Sequence, residues 1–87
     1  MSYRLVFTRQ AQRDAKKVSG AGLKKNVLRL LAILQENPYQ TPPRYEKLLG
    51  DLEGAFSRRI NIQHRLVYQI LEQEKTVKVI RMWTHYE

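Results

Sequence analysis

Residues 56–68 run Phe56-Ser57-Arg58-Arg59-Ile60-Asn61-Ile62-Gln63-His64-Arg65-Leu66-Val67-Tyr68. Two runs rich in β-branched, aromatic and aliphatic residues flank a short polar break at residues 61–64, and this pattern predicts a β-hairpin. Three arginines lie on the predicted strands, where each guanidinium stays charged near neutral pH and presents a planar fork of donors that fits phosphate oxygens. The hairpin is therefore predicted to be a rigid cationic platform.

Length and composition indicate one small cytoplasmic domain. The 87 residues suffice for one modest core, so we interpret residues 1–87 as a single domain. The absence of cysteine excludes a disulfide framework and thiolate metal sites, and fits a reducing cytoplasm. The longest unbroken apolar run, Leu30–Leu34, is far shorter than the about 20 residues that cross a bilayer. We expect neither export nor a membrane partner.

The net charge points to a polyanionic partner. The formal charge is +8 and the pI is about 10.1. A field of that sign concentrates polyanions, so nucleic acid is the first class of partner to consider. An acidic protein would be attracted by the same field, and a basic surface that serves only solubility is the remaining explanation.

The remaining sequence patterns predict an α+β domain with elements in the order β-α-α-β-β-β-β. We expect a mainly antiparallel sheet of four to five strands, with both N-terminal helices packed on one face. The predicted elements are a strand over Tyr3–Thr8, a helix from Thr8 to about Val18, a helix over about Leu23–Glu36, a short strand within Arg44–Leu49, and strands over Ala55–Asn61, Arg65–Glu72 and Thr76–Trp83.

Helix boundaries are readable from capping residues and periodicity. Thr8 can cap the first helix, and the glycines of residues 19–22 supply the backbone angles that its end needs. In the second helix, apolar residues recur at intervals of three and four, which predicts a stripe that covers the sheet. The members of that stripe are Leu23, Val27, Leu30 and Leu34, with Leu31 beside them.

The candidate chemistry is RNA cleavage without a metal or cofactor. The chain has no glycine-rich phosphate loop, nucleotide fingerprint or metal-spaced histidine pair. A glutamate such as Glu46 can take the proton of a ribose 2′-hydroxyl, whose oxygen then attacks the adjacent phosphorus. Arginines stabilise the negative charge that develops, and a histidine such as His85 protonates the departing 5′-oxygen. DNA lacks the attacking hydroxyl, so this chemistry applies to RNA only.

These residues also have ordinary structural explanations. Glu46 could be a loop acid paired with Lys47. Arg58 and Arg59 are adjacent on a predicted strand, so they point to opposite faces and at least one is structural or merely solvated. The hairpin register is not readable from the sequence, which leaves open whether Arg59 and Arg65 share a face. By type, Trp83 fits a core position and the His85-Tyr86 pair fits a frayed tail.

Several blocks together resemble a known family. Ser57-Arg58-Arg59-Ile60, His64-Arg65-Leu66-Val67-Tyr68 and the closing His85-Tyr86 resemble the YoeB/Txe family of bacterial toxins, within the RelE-like messenger-RNA interferases. The run Tyr45–Leu52 and the tail Arg81–Tyr86 are most similar to the Txe branch. The resemblance spans nearly the whole chain, and the joint occurrence of the blocks is much more specific than any one of them.

The resemblance implies both an activity and partners. It implies a RelE-like sheet with two helices, acting as a ribosome-dependent endoribonuclease that cuts messenger RNA in the decoding site. The products would be a 2′,3′-cyclic phosphate and a free 5′-hydroxyl. The implied partners are the 70S ribosome, the messenger, and a Phd/YefM-like (Axe-like) antitoxin with an acidic C-terminal segment. The alternative from another class is a basic module that blocks translation by binding ribosome or RNA without cutting.

The resemblance also assigns roles to residues. It places the catalytic group on Glu46 as base, Arg65 as phosphate clamp, and His85 with Tyr86 as the terminal acid pair. Arg59 matches a further arginine near the scissile phosphate. The other candidates for RNA or phosphate binding are Arg58, Lys47 and Trp83.

Overall fold

A computed structural model describes residues 2–50 and 54–83. Within these residues, two helices and five strands follow each other in the predicted order, which confirms the predicted α+β class. Residues 84–87 lie outside the described residues, and with them the predicted pair His85 and Tyr86. The elements are β1 Arg4–Phe7, α1 Arg9–Gly20, α2 Lys24–Glu36, β2 Tyr45–Lys47, β3 Ala55–Arg59, β4 Arg65–Leu71 and β5 Thr76–Arg81.

The five strands form one sheet in the order β1-β5-β4-β3-β2. The pairs β2–β3, β3–β4 and β4–β5 are antiparallel, as the consecutive strands of the sequence suggest. β1 pairs parallel with β5, with Arg4 opposite Thr76. β1 and β2 therefore lie at opposite edges of the sheet, and β1 lies beside the last strand. The two helices between them carry the chain across one face from one edge to the other.

α1 begins after the predicted cap Thr8 and ends in a glycine-containing turn. The Thr8 side chain accepts a hydrogen bond from the Ala11 backbone N–H at 3.0 Å, which caps the first turn. At the other end Gly22 has φ 78°, a conformation that favours glycine. The Leu23 N–H then bonds back to the Val18 carbonyl at 3.0 Å, as in a Schellman motif. The helix runs two residues beyond the predicted end at Val18.

The hydrophobic core lies between the helices and the covered face of the sheet. The predicted stripe of α2 supplies Val27, Leu30 and Leu34, all buried, while Leu23 and Leu31 pack at its margin. Tyr3, just before β1, is buried in the same core, and Ile70 of β4 is partly buried beside it. The buried apolar residues that β4 and β5 contribute are Leu66, Tyr68, Val77 and Val79. One sheet face is thus consumed by packing, which leaves the other face for a site.

A buried carboxylate ties α1 to the end of β5. Asp14 is fully buried on α1, and its Oδ2 accepts from Arg81 Nε at 2.9 Å and from the backbone N–H groups of Met82 (3.0 Å) and Trp83 (3.3 Å). Gln10 donates to Oδ1 at 2.9 Å. Burial costs little here because donors surround both oxygens. Asp14 therefore fixes the direction in which the chain leaves the sheet after β5.

We expect acid to weaken this tie. Burial raises the pKa of Asp14, but hydrogen bonds from the Met82 backbone, Gln10 and Arg81 outweigh burial and hold the pKa below its ordinary value. A lowered folded pKa gives stability that is fully present above the unfolded pKa and is lost as pH falls through the folded value. Asp14→Asn should lower the free energy of unfolding at pH 7 by about 2 kcal/mol.

The variant should also flatten the acid dependence of stability. Urea unfolding of the native chain, Asp14→Asn and the exposed control Glu36→Gln, measured from pH 7 to pH 3, checks this prediction. The native chain and the control should lose stability in parallel, and Asp14→Asn should lose less. Equal slopes for all three proteins would show that Asp14 does not carry the effect.

Candidate active site

Strand register brings the predicted base and two arginines to the open face of the sheet. Arg59 lies directly opposite Arg65 in the β3–β4 pair, so the two share a face. On the other side of β3, Glu46 lies opposite Ser57, and Ser57 is two residues before Arg59 on the same face. This register answers whether Arg59 and Arg65 share a face, which the sequence left open. Glu46, Arg59 and Arg65 occupy one surface.

Glu46 and Arg65 are in contact. Arg65 Nη1 lies 3.3 Å from Glu46 Oε1, and it also donates to Ser57 Oγ at 3.1 Å. The Glu46 side chain is 44% exposed and the Arg65 side chain only 14% exposed. The guanidinium is therefore held in place by the sheet, while the carboxylate remains accessible to a substrate. Arg59 is exposed across the strand pair.

Ser57 is a site residue that the sequence reasoning missed. It is fully buried, and its hydroxyl accepts from the Arg65 guanidinium, so it fixes where that charge lies. The available signal was its spacing of two residues from Arg59, which places both on one face of a strand. Because the serine side chain is small, the Arg65 guanidinium can reach across β3 at this position to Glu46 on β2.

Trp83 stacks on His64. The two ring centroids are 3.8 Å apart and the planes differ by 18°. His64 immediately precedes Arg65 and is buried, while Trp83 is half-buried and packs against the core. The structure thus gives Trp83 a packing role, with one ring face covered by His64. The stack also places the end of the described chain beside the end of the β3–β4 hairpin that carries Arg59 and Arg65.

Two candidates for phosphate binding lie elsewhere. Arg58 is fully buried on the covered face of β3, and its guanidinium donates to the Tyr68 hydroxyl and to backbone carbonyls. Arg58 has no exposed surface that could contact a phosphate, so it is not a phosphate-binding residue. Lys47 is exposed but follows Glu46 on β2 and lies opposite Phe56, which places it on the other side of the sheet.

Tyr68 is excluded as an acid or base. Burial raises its pKa to about 12, and the neighbouring Arg58 guanidinium opposes that rise only in part. The hydroxyl therefore stays protonated over the physiological range of pH, where it accepts a hydrogen bond of 3.0 Å from Arg58 Nε. Its role is to hold Arg58.

Over residues 2–50 and 54–83 the structure contains no cluster of three or more histidine, cysteine, aspartate or glutamate side chains able to hold a metal ion. None of the helices in these residues is long and apolar enough to cross a membrane.

Comparison with known proteins identifies the family. The sequence model of one protein family, the YoeB-like toxins of bacterial type II toxin–antitoxin systems, matches residues 7–86. This chain belongs to that family. Among its relatives, the toxin YoeB of Mycobacterium bovis is 37% identical over 62 residues, which make up 71% of this chain and 71% of that protein.

Solved structures agree with the YoeB assignment. A YoeB/ParE toxin from Agrobacterium tumefaciens superposes with a TM-score of 0.85 at 28% identity, covering 95% of this chain and 99% of that one. A chain of the YoeB–YefM complex from Staphylococcus aureus superposes with a TM-score of 0.80 at 30% identity, covering 99% of this chain and 100% of that one.

These matches establish the type of protein. The chain is a toxin of the RelE-like messenger-RNA interferase type, and therefore an endoribonuclease. The matches are to YoeB toxins in general, so placement in the Txe branch stays a prediction.

Proposed function

We propose that this YoeB-family toxin is a metal-independent nuclease that cuts messenger RNA in the decoding site of the 70S ribosome and so inhibits translation. The observation that carries the proposal is the pairing of Glu46 with Arg65, 3.3 Å apart on the open face of the sheet, with Arg59 directly opposite Arg65. A carboxylate beside an arginine that the sheet holds in place, with a second arginine opposite, suits the attack of a 2′-hydroxyl on the adjacent phosphorus.

Glu46 takes the proton of the 2′-hydroxyl while that oxygen forms a bond to the adjacent phosphorus. Arg65 and Arg59 stabilise the negative charge on the non-bridging oxygens. The bond from phosphorus to the 5′-oxygen breaks, and His85 supplies the proton to that oxygen, with Tyr86 as an orienting or stacking group. The products are a 2′,3′-cyclic phosphate and a 5′-hydroxyl, so the step balances without a metal or other reactant.

Charge supports the proposed partners. The formal charge of +8 suits binding to ribosomal and messenger RNA, whose phosphates attract lysine and arginine side chains. The same charge suits a Phd/YefM-like antitoxin with an acidic segment, and a Staphylococcus aureus relative is found in a YoeB–YefM complex. Because the proposed substrate is messenger RNA on a translating ribosome, we place the protein in the cytoplasm.

The proposal is tested with purified ribosomes. Primer extension on a defined messenger, with and without the toxin, maps cuts, and end-group chemistry identifies the new termini. We expect discrete cuts at the decoding site that end in 2′,3′-cyclic phosphate. Arrest of translation with intact messenger would overturn the nuclease mechanism and favour the non-catalytic binding module.

A second measurement addresses metal independence. Ribosomes need Mg²⁺, so removal of the metal is uninformative, and a sulfur substitution at the scissile phosphate is used instead. A thiophilic ion such as Cd²⁺ restores cleavage only when a metal contacts the substituted oxygen. We expect slower cleavage of the phosphorothioate messenger without rescue by Cd²⁺. Rescue would place a metal at the reacting phosphate and contradict the proposal.

A further inference from the structure

Arg58 and Arg59 are neighbours in sequence but are used on opposite sides of β3. Arg59 is exposed on the open face beside Arg65, whereas Arg58 is 0% exposed beneath the covered face. Burying a guanidinium costs free energy unless its donors find acceptors. The acceptors that Arg58 binds therefore indicate what its burial achieves.

Arg58 binds one loop at three points. Its Nη2 donates to the carbonyl oxygens of Pro38 at 2.9 Å and Gln40 at 2.8 Å, and its Nη1 donates to that of Pro43. Its Nε donates to the Tyr68 hydroxyl at 3.0 Å, which orients the guanidinium from the sheet side. The three carbonyls belong to residues 37–44, which connect α2 to β2. We call this segment the proline loop.

The proline loop is short of its own donors. It holds all three prolines of the chain, Pro38, Pro42 and Pro43, and proline has no backbone N–H. Within the loop the Gln40 N–H donates to the Asn37 carbonyl at 3.0 Å, and the Gln40 side chain donates to the Pro42 carbonyl at 3.4 Å. The carbonyls of Pro38, Gln40 and Pro43 take donors from outside the loop. One arginine side chain supplies three of them. Outside this cluster, the Tyr39 hydroxyl ties the loop to Glu72 at 2.9 Å on the exposed side.

The strand that follows the loop is also attached to Arg58. Tyr45, the first residue of β2, lies opposite Arg58 in the strand register, and its ring centroid is 5.0 Å from the guanidinium carbon. The same ring packs edge-on against Phe56, at 5.6 Å between centroids. The next residue is Glu46, whose side chain alternates to the open face. Arg58 thus holds the residue immediately before the proposed base.

β2 needs this support because it is short and lies at the sheet edge. It contains three residues and has β3 as its neighbour in the sheet order. An edge strand of this length is held by few ladder bonds, so its position depends on the segments before and after it. The ion pair between Glu46 and Arg65 at 3.3 Å requires that position to be fixed.

We propose that Arg58 is a positioning residue for Glu46. It anchors the proline loop and Tyr45 on the covered face, so that the Glu46 carboxylate lies against Arg65 on the open face. Arg58 makes no contact with RNA in this role. The catalytic consequence rests on the proposed function of Glu46, whereas the anchoring of β2 does not.

The anchoring is tested by hydrogen exchange in the free toxin. Arg58→Lys keeps the charge but loses the planar fork that reaches several carbonyls at once. We expect exchange of the amides in residues 44–48 to become about tenfold faster, with exchange in α2 unchanged. The matched control is Arg29→Lys, an identical change at an exposed position on α2. Unaltered exchange in residues 44–48 would overturn the proposal.

The positioning role is tested by single-turnover cleavage on ribosomes. For Arg58→Lys we expect the rate constant at saturating toxin to fall about tenfold, with the half-saturating toxin concentration unchanged. The matched control Arg29→Lys, at an exposed arginine of α2 outside the site, should change neither the rate constant nor the half-saturating concentration. A shift of that concentration for Arg58→Lys, or a full rate despite faster exchange of β2, would overturn the assignment.

Two provisions keep the test decisive. If circular dichroism shows that Arg58→Lys is unfolded, Tyr68→Phe replaces it, since this change removes one acceptor of Arg58 and leaves its three carbonyls in place. Smaller changes in the same direction are then expected in both measurements. If the native toxin leaves the messenger intact, the proposed function fails, and the exchange experiment alone still decides whether Arg58 anchors β2.

Discussion

Glu46→Gln should lower the rate constant of messenger cleavage by about 10²-fold or more. The amide keeps the size of the side chain and a hydrogen-bond acceptor for Arg65, but it cannot take the proton of the 2′-hydroxyl. Binding to the ribosome should persist, because the carboxylate contributes no positive charge to it. Single-turnover cleavage, with ribosome binding measured in parallel by sedimentation, checks both expectations.

The matched control for this change is Glu36→Gln. Glu36 is an exposed glutamate at the end of α2, so the same substitution there removes a negative charge without touching the open face. It should cleave like the native toxin. Full activity of Glu46→Gln beside this control would remove Glu46 as the base and leave the Glu46–Arg65 contact as an ordinary ion pair.

Arg65→Lys should lower the cleavage rate constant by about 10²- to 10³-fold. Lysine keeps the positive charge but places it on a flexible stem with a single nitrogen. The native guanidinium bonds to Ser57 Oγ at 3.1 Å and contacts Glu46 at 3.3 Å, and a fixed fork of this kind can still present donors to a phosphate. The loss therefore comes from geometry rather than charge.

The readout that separates geometry from binding is the same single-turnover assay over a range of toxin concentrations. Arg65→Lys should reduce the maximal rate constant far more than it changes the half-saturating concentration. Arg29→Lys, on the outer surface of α2, again serves as the control. A loss confined to weaker binding, with the maximal rate retained, would make Arg65 an RNA-binding residue and not a stabiliser of the transition state.

The parts of the fold that the sequence predicts well depend on neighbours within a few residues. Thr8 caps α1 through a bond to Ala11, three residues away. The buried stripe of α2 follows from a spacing of three and four, as Val27, Leu30 and Leu34 show. Capping and helical periodicity depend only on residues close in sequence, so they can be predicted without the tertiary structure.

The parts that the sequence does not predict depend on contacts between distant segments. Arg58 looks like its neighbour Arg59 until the proline loop is folded over it. Asp14 lies in the same helical stripe as Ala11 and Val18. A single acid in an otherwise apolar stripe was the signal in the sequence that this carboxylate is buried and has a binding partner. The role of Asp14, which is to bind the backbone after β5, depends on β5 packing beside α1. The register of β3 and β4 likewise had to be observed.

The place of β5 in the sheet bears on how this toxin is made. β5 lies between β1 and β4, and β1 has β5 as its neighbour in the sheet order. Synthesis proceeds from the N-terminus, so β1 cannot pair with β5 until residues 76–81 have emerged from the exit tunnel. Contacts of such long sequence separation also form slowly. The sheet is therefore completed only after β5 has left the exit tunnel.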